Sequence, residues 1–442
     1  MERVRDAFLV LLRAGLWGKF PENRGLFPLD EEEWERVFAM SRRQSVSGIV
    51  FDGICLLPET LQPSPAVFAK WIVIADAIEE FSGRMNAALK DLTGLFVSEG
   101  LRPVLQKGQG VAALYPEPSH RECGDIDFYF PERQPLRQAQ RPGKESPLPV
   151  ADPAKVTGET MDDKAVELVR RHGVTVTRMP DGSQTYEWHG IDVEHHPAII
   201  DLRSPAAIRL SGELDETREF VPTDIADGLR VPSPALNALM LNSHILKHAL
   251  GRGIGLRQIC DLAMAYHRIS EEGKIDEYGG RILAFYRRVG IVKWSRLLHS
   301  FLVGVIGLPE AELPYSEKIV PYGALWRIVE EGGNFGQHRE TGASAGTDVS
   351  AKTGASAGTD VSAKAGASAG TDVSAKAGAS AGSNVSVGTD VPAGPATGKS
   401  GVLKRKLGTA GMFLRRAGFS LRFAPKEAFW TVFDLAKGQF RK

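Results

Sequence analysis

The sequence predicts an α+β fold: a small mixed sheet flanked by helices, with a helical lead-in before it and a helical domain after it. Three observations predict this. Residues 1–100 carry apolar side chains at three- and four-residue spacing. From residue 101 the chain breaks into short apolar runs separated by glycine and proline. From Pro232 the helical period returns.

In the lead-in, "VRDAFLVLLRAGLW" has the helical apolar spacing. The stretch "LDEEEWERVFAMSRRQSVSGIVFDGI" begins with Asp30 as an N-cap and acids in the first turn, with Trp34, Val37 and Phe38 on one face. A third helix, "AVFAKWIVIADAIEEFSGRMNAALKDLTGLFVSEG", closes at Gly100. Residues 101–230 read as the sheet-bearing core. Pro103 to Gln106 is extended, the glycines at 108 and 110 break it, and "VAALY" resumes a helix before the prolines at 116 and 118. "DIDFYF" is the next strand, and the proline-rich stretch near 131–158 reads as an irregular insertion. "MDDKAVELVRRHG" is an amphipathic helix, "VTVTRM" a strand, "DGSQ" a turn and "TYEWHGIDVEHH" further strand.

Residues 231–335 form the helical domain, with Ser233 capping "PALNALMLNSHILKHAL", then "GLRQICDLAMAYHRIS" and "GGRILAFYRRVGIVKWSRLLHSFLVGVIGL". Between Thr341 and Gly388 the unit "TGASAGTDVSAK" occurs twice unchanged and twice more in altered form. Each unit offers only Val and Ala for burial, too little to offset the entropy of ordering, so 336–398 is expected to be a disordered linker. Residues 399–442 are a basic tail in which Met412, Phe413, Leu414, Phe419, Leu421, Phe423 and Trp430 are interleaved with Lys and Arg. Two readings fit it: a helix lying on an anionic membrane or an acidic partner, or a terminal helix packed back on the helical domain.

With 54 basic and 54 acidic side chains, the chain has no global pull toward nucleic acid or acidic lipid. Its three cysteines, Cys55, Cys123 and Cys260, share no ligand spacing, which argues against a disulfide framework or a zinc ribbon and favours a reducing cytoplasm. No export signal and no membrane span is expected.

The chemistry concentrates around "GDIDFYF". At strand period Asp125 and Asp127 emerge on one face while Ile126 and Phe128 face the other. Adjacent carboxylates raise one another's pKa unless a cation intervenes, and such a pair suits a hard cation such as Mg2+ together with substrate phosphates. Upstream, "VLQKGQG" places Lys107 and Gly108 between a strand and a helix start, a way of presenting backbone N–H groups to phosphate. "GIDVEHH" offers a third acid, with Asp192, Glu194 and His196 on one face of a second strand. Each motif also has a bland reading as polar residues on an exposed strand; the ordered set of three favours catalysis. His244 and His248 are four apart, a zinc-compatible spacing, but without a third ligand nearby they read as hydrogen-bonded imidazoles near the cleft. Arg257 and Asp261, also four apart, read as an intrahelical ion pair.

The stretch "VLQKGQGVAALYPEPSHRECGDIDFYF" resembles the uncharacterised nucleotidyltransferase family of the DNA polymerase beta superfold, and the later "VEHH" and "HILKHAL…GLRQICDLA" segments resemble it too. The resemblance covers roughly residues 1–330 and implies a minimal sheet with helices. It also implies two Mg2+ ions, with Mn2+ as the alternative, and transfer of a nucleoside monophosphate from a nucleoside triphosphate to an acceptor. On that basis Asp125, Asp127 and Glu194 are the metal ligands and catalytic acids, and Glu194 could also take the acceptor proton. Lys107 and the Gly108 backbone hold the triphosphate, and Arg121 either contacts phosphate or pairs with Asp125 or Glu122. Arg257 and Asp261 would shape the acceptor or nucleotide pocket. The usual glycine-serine of the superfold is Lys107-Gly108 here, and the third acid is Glu194 where many relatives have aspartate.

Two other classes compete. A DxD glycosyltransferase needs a longer nucleotide-binding βαβ region ahead of the acids, where this chain is helical. A scaffold that has lost catalysis would dock through its linker and tail. A toxin or antitoxin that modifies RNA or protein is compatible with nucleotidyl transfer, and the sequence does not choose among small-molecule, protein and RNA acceptors.

Overall fold

The computed structural model describes residues 2–131, 160–179, 181–217, 219–251, 253–332 and 416–440. Most of the proline-rich insertion, the repeat linker and the first part of the basic tail lie outside them.

The chain is α+β, with one seven-stranded mixed sheet among many helices. The lead-in has four helices: α1 (Glu2–Trp17), α2 (Glu31–Gln44), α3 (Ser47–Cys55) and α4 (Pro65–Ser98). Asp30 caps α2 as expected: it accepts from the Glu33 backbone N–H, and the Glu33 carboxylate accepts from the Asp30 N–H. The stretch expected as one helix from Asp30 to Ile54 is two, because Ser45 adopts a left-handed conformation (φ 53°) that ends α2. Helices α1 and α3 cross with backbones nearly touching. A Cβ at Gly53 would lie 2.0 Å from the Leu11 carbonyl oxygen, so this crossing requires glycine.

The strands are β1 (Val104–Leu105), β2 (Ile126–Tyr129), β3 (Thr177–Arg178), β4 (Gln184–Trp188), β5 (Ile191–His196), β6 (Phe220–Pro222) and β7 (Arg230–Pro232). Their order is β3-β4-β5-β2-β1-β7-β6, with β2 parallel to β5 and antiparallel to β1. The connecting helices are α5 (Gln109–Ala112), α6 (Met161–Arg171) and α7 (Pro205–Thr217). The helical expectation for "VAALY" shrinks to the single turn of α5, because Ala113 to Tyr115 are already in turn.

One face of the sheet is largely apolar and carries a buried histidine. Ile126, Phe128, Ile191 and Val193 pack with Leu89, Leu92 and Phe96 of α4 and Ala165, Leu168 and Val169 of α6. His195 sits on this face and is satisfied there by Asp162 at 2.8 Å and the Tyr186 hydroxyl at 2.9 Å. The alternation of β2 and β5 therefore sends Asp127, Glu194 and His196 to the other face.

The helices that follow are α8 (Pro234–Leu250), α9 (Leu256–Glu271), α10 (Ile275–Val289), α11 (Val292–Phe301) and α12 (Gly323–Gly332). Ser233 caps α8 through the Leu236 N–H. The helical stretch after Gly279 is carried by α10 and α11, which are separated at Gly290, a left-handed residue (φ 84°). These helices share one buried core with α1–α3. The tail forms α13 (416–423) and α14 (Pro425–Phe440). It returns to the same core: Ala424 and Ala428 are buried, Phe419 and Phe423 pack against it, and the Phe419 ring meets the Trp294 ring edge-on. No helix among the described residues is long and apolar enough to cross a membrane.

Candidate active site

The site is built at the junction of β1, β2 and β5. The parallel register sets Asp127 opposite Glu194, and Tyr129 opposite His196. The consequence is a group in which one ligand atom each from Asp127, Glu194 and His196 lies within 4.8 Å of the others. Asp127 and His196 are buried, and Glu194 is partly open to solvent. Because β1 is the other neighbour of β2, Lys107, two residues past its end, reaches the same acid: its ammonium lies 3.0 Å from Asp127 Oδ1. His196 Nε2 stands 2.6 Å from that oxygen, and its Nδ1 is 3.8 Å from Glu194 Oε1.

The electrostatics divide the two aspartates. Burial acts to raise the Asp127 carboxyl, but Lys107 and His196 outweigh it and hold the group well below the ordinary carboxylate range. Asp125, on the approach to β2, is pushed up to about 6, first by the neighbouring Asp127 charge and then by burial, with Lys107 and Arg257 opposing. Lys107 is pulled down by burial and raised on balance by Asp127 and Asp125. The Asp127 charge is thus held in place while its neighbour Asp125 keeps its proton to a higher pH than an ordinary carboxyl.

Gly108 turns the chain from β1 into α5 with φ 53° and ψ −125°, a combination that suits glycine. A Cβ there would stand 3.4 Å from the Asp125 carbonyl oxygen, so the Lys-Gly turn and the acidic strand are in contact.

The other expected site residues fall into three groups. Asp192 is exposed and is not part of the cluster around Asp127. His244 and His248 stack edge to face with ring centroids 4.3 Å apart on α8. Burial, then the charges of Lys107 and His248, hold His244 well below the ordinary imidazole value, which favours its neutral form. The ion pair expected between Arg257 and Asp261 is not present among the described residues. Asp261 instead grips Arg121 through two bonds, from Nε at 3.1 Å and Nη2 at 2.6 Å, and accepts from the Tyr115 hydroxyl at 2.7 Å. The third edge of Arg121 meets Cys123 Sγ at 3.0 Å. The pairing partner of Arg121 is thus Asp261 of α9 and not Asp125 or Glu122. Arg257 donates to the Glu122 carbonyl at 2.8 Å and its charge is felt at Asp125.

Two features went unread in the sequence. Glu122 accepts from the Ser47 N–H at 2.7 Å, closing the start of α3, and Asp201 pairs with Lys247 beside the histidines of α8. Both depend on contacts distant in sequence; only the placement of Asp201 five residues past His196 hinted at the second. A cavity of about 560 Å3 between α10 and residues 310–316 contains none of the cluster.

A family model described as an uncharacterised nucleotidyltransferase matches residues 30–141 and 159–280. The match includes both acid-bearing strands, the Lys-Gly turn and helices α8 and α9, and is interrupted within the proline-rich stretch. No curated protein and no solved structure matches the chain.

Proposed function

Because this chain belongs to the uncharacterised nucleotidyltransferase family, we propose that it transfers a nucleoside monophosphate from a nucleoside triphosphate to a hydroxyl acceptor. The observation that carries the reading is the opposition of Asp127 and Glu194 on adjacent parallel strands, with His196 completing a group fit for a divalent cation. The donors suit a metal: a partly open Glu194 carboxylate beside a buried Asp127 whose Oδ2 accepts no bond among the described residues while Oδ1 is held by Lys107 and His196. Asp125, Asp127 and Glu194 are the residues to hold two Mg2+ ions, and the imidazole of His196 makes Mn2+ a workable substitute. When bound, such ions neutralise charge on the triphosphate and lower the pKa of an acceptor hydroxyl.

The chain's own residues have separable tasks. His196 fixes the orientation of Asp127 by occupying Oδ1. Lys107 is the side-chain cation beside that carboxylate, placed to exchange its partner for a phosphate oxygen. Gly108 lets a phosphate approach the backbone at the turn. Glu194, more open than Asp127, is the carboxylate positioned to accept the acceptor's proton. The test is incubation with each labelled triphosphate and a cell lysate, beside an Asp125→Asn, Asp127→Asn variant. Labelling of an acceptor by the wild type, and its loss in the folded variant, supports the reading; equal labelling by both defeats it.

One observation favours a second reading. The Lys107 ammonium is itself a counter-charge to Asp127, and the His196 ring bonds the same oxygen, which is the kind of internal satisfaction a scaffold that has lost catalysis would keep. Calorimetry with magnesium and each triphosphate separates the two, since a scaffold shows no metal-dependent nucleotide binding.

A further inference from the structure

The C-terminal helices carry features that nucleotidyl transfer does not use. They are anchored from within. The Arg416 guanidinium donates to the Gly251 carbonyl at 2.7 Å, past the end of α8, and the Glu427 carboxylate accepts the Arg203 and Ser204 N–H groups just ahead of α7. Glu427 is almost completely buried. One of only two acids between residues 401 and 442 is therefore turned inward, in a stretch with ten Lys and Arg.

The outward side has the opposite character. Leu421 is 64% exposed, Phe429 61%, Val432 51% and Phe433 47%. Phe429, Val432 and Phe433 follow the i, i+3, i+4 spacing and share one side of α14. The Phe429 and Phe433 rings stack with centroids 6.3 Å apart, and Trp430 meets Phe433 edge-on at 5.4 Å. The exposed charged side chains described on these two helices are Arg422 and Lys426, both basic. Folding has thus sorted an aromatic, positively charged surface outward.

We propose that this surface docks on an anionic lipid bilayer, with the aromatic side chains at the interfacial level and the basic ones on the headgroups. Charge complementarity selects this occupant. A second copy would bring like charges together, whereas an anionic surface satisfies both the apolar and the basic parts at once. The contact is peripheral, since no described helix is long and apolar enough to span a bilayer.

Sedimentation of the full-length protein with phosphatidylcholine vesicles, with and without phosphatidylserine, tests this. Binding is expected on the anionic vesicles alone and weakens as salt is raised. The pairs Phe429→Ser, Phe433→Ser and Arg422→Glu, Lys426→Glu should each lower the partition coefficient about tenfold or more, without changing thermal unfolding. Protein that stays in the supernatant with anionic vesicles overturns the proposal, as does binding that is indifferent to the aromatic pair. It is equally overturned by a dimer that Phe429→Ser, Phe433→Ser dissociates, or by capture of an acidic polypeptide in place of lipid.

Discussion

The Lys107 ammonium lies 3.0 Å from Asp127, on the oxygen that His196 also holds, so a side-chain cation stands beside the carboxylate at the centre of the acidic cluster. The arrangement follows from the strand order, in which β2 has the end of β1 on one side and β5 on the other. Lys107 thereby offsets the mutual repulsion of Asp125, Asp127 and Glu194, whose charges all act on it.

Replacing Lys107 with Met should therefore destabilise the protein, because it strips the counter-charge from a buried carboxylate. We expect a loss of about 3 kcal/mol, somewhat softened by the His196 that remains. Urea unfolding with and without magnesium measures it. Magnesium should restore stability more in the variant than in the wild type, and equal effects on both would contradict the idea that a divalent cation takes over the role of Lys107.

A second ion-paired site governs pH dependence away from the acids. His120 bonds Asp52 at 2.6 Å through Nδ1 and Glu79 at 2.7 Å through Nε2. Burial lowers its pKa, but the two carboxylates prevail and raise it from 6.5 to about 9. A raised folded-state pKa favours the folded form wherever the imidazole is protonated, so the contribution is complete below 6.5 and is lost as pH rises through 9. Thermal melts should decline over that interval, and His120→Gln should flatten the decline.

Asp261→Asn should cost about 3 kcal/mol, since it leaves the buried Arg121 guanidinium without its counter-charge. A double-mutant cycle with Arg121→Met, read by chemical unfolding, should recover much of that loss. Additive effects would show that the pair is not coupled.

Packing gives a sharper case. Gly53→Ala puts a methyl where the Leu11 carbonyl oxygen sits 2.0 Å away, so α1 and α3 must separate. Overpacking of this kind is expected to cost about 3 kcal/mol or to abolish folding. An unchanged melting temperature would show that the crossing is looser than its geometry.

Much of this architecture is visible in local sequence. The alternation in "DIDFYF" and "IDVEHH" fixes which side chains face the core, and Asp30 and Ser233 mark helix starts by their own side-chain chemistry. The break between α2 and α3 is not visible, because Ser45 is not a residue that advertises a left-handed turn. Arg257 and Asp261 illustrate a different failure. Their four-residue spacing satisfies the rule for a helical ion pair, yet Arg121 outcompetes by offering two parallel bonds from another element. The partner of Lys107 depends on strand order, which spacing along the chain does not encode. The tail likewise needed the fold to show that Glu427 turns inward while Phe429 and Phe433 turn out.

Asp127 and Glu194 are the carboxylates proposed to hold a divalent cation. Titration with Mn2+, following the free ion by electron paramagnetic resonance, tests this most directly. Saturable binding by the wild type that weakens at least tenfold in Glu194→Gln and disappears in Asp127→Asn is the predicted result. No saturable binding, or equal binding by all three proteins, would contradict it.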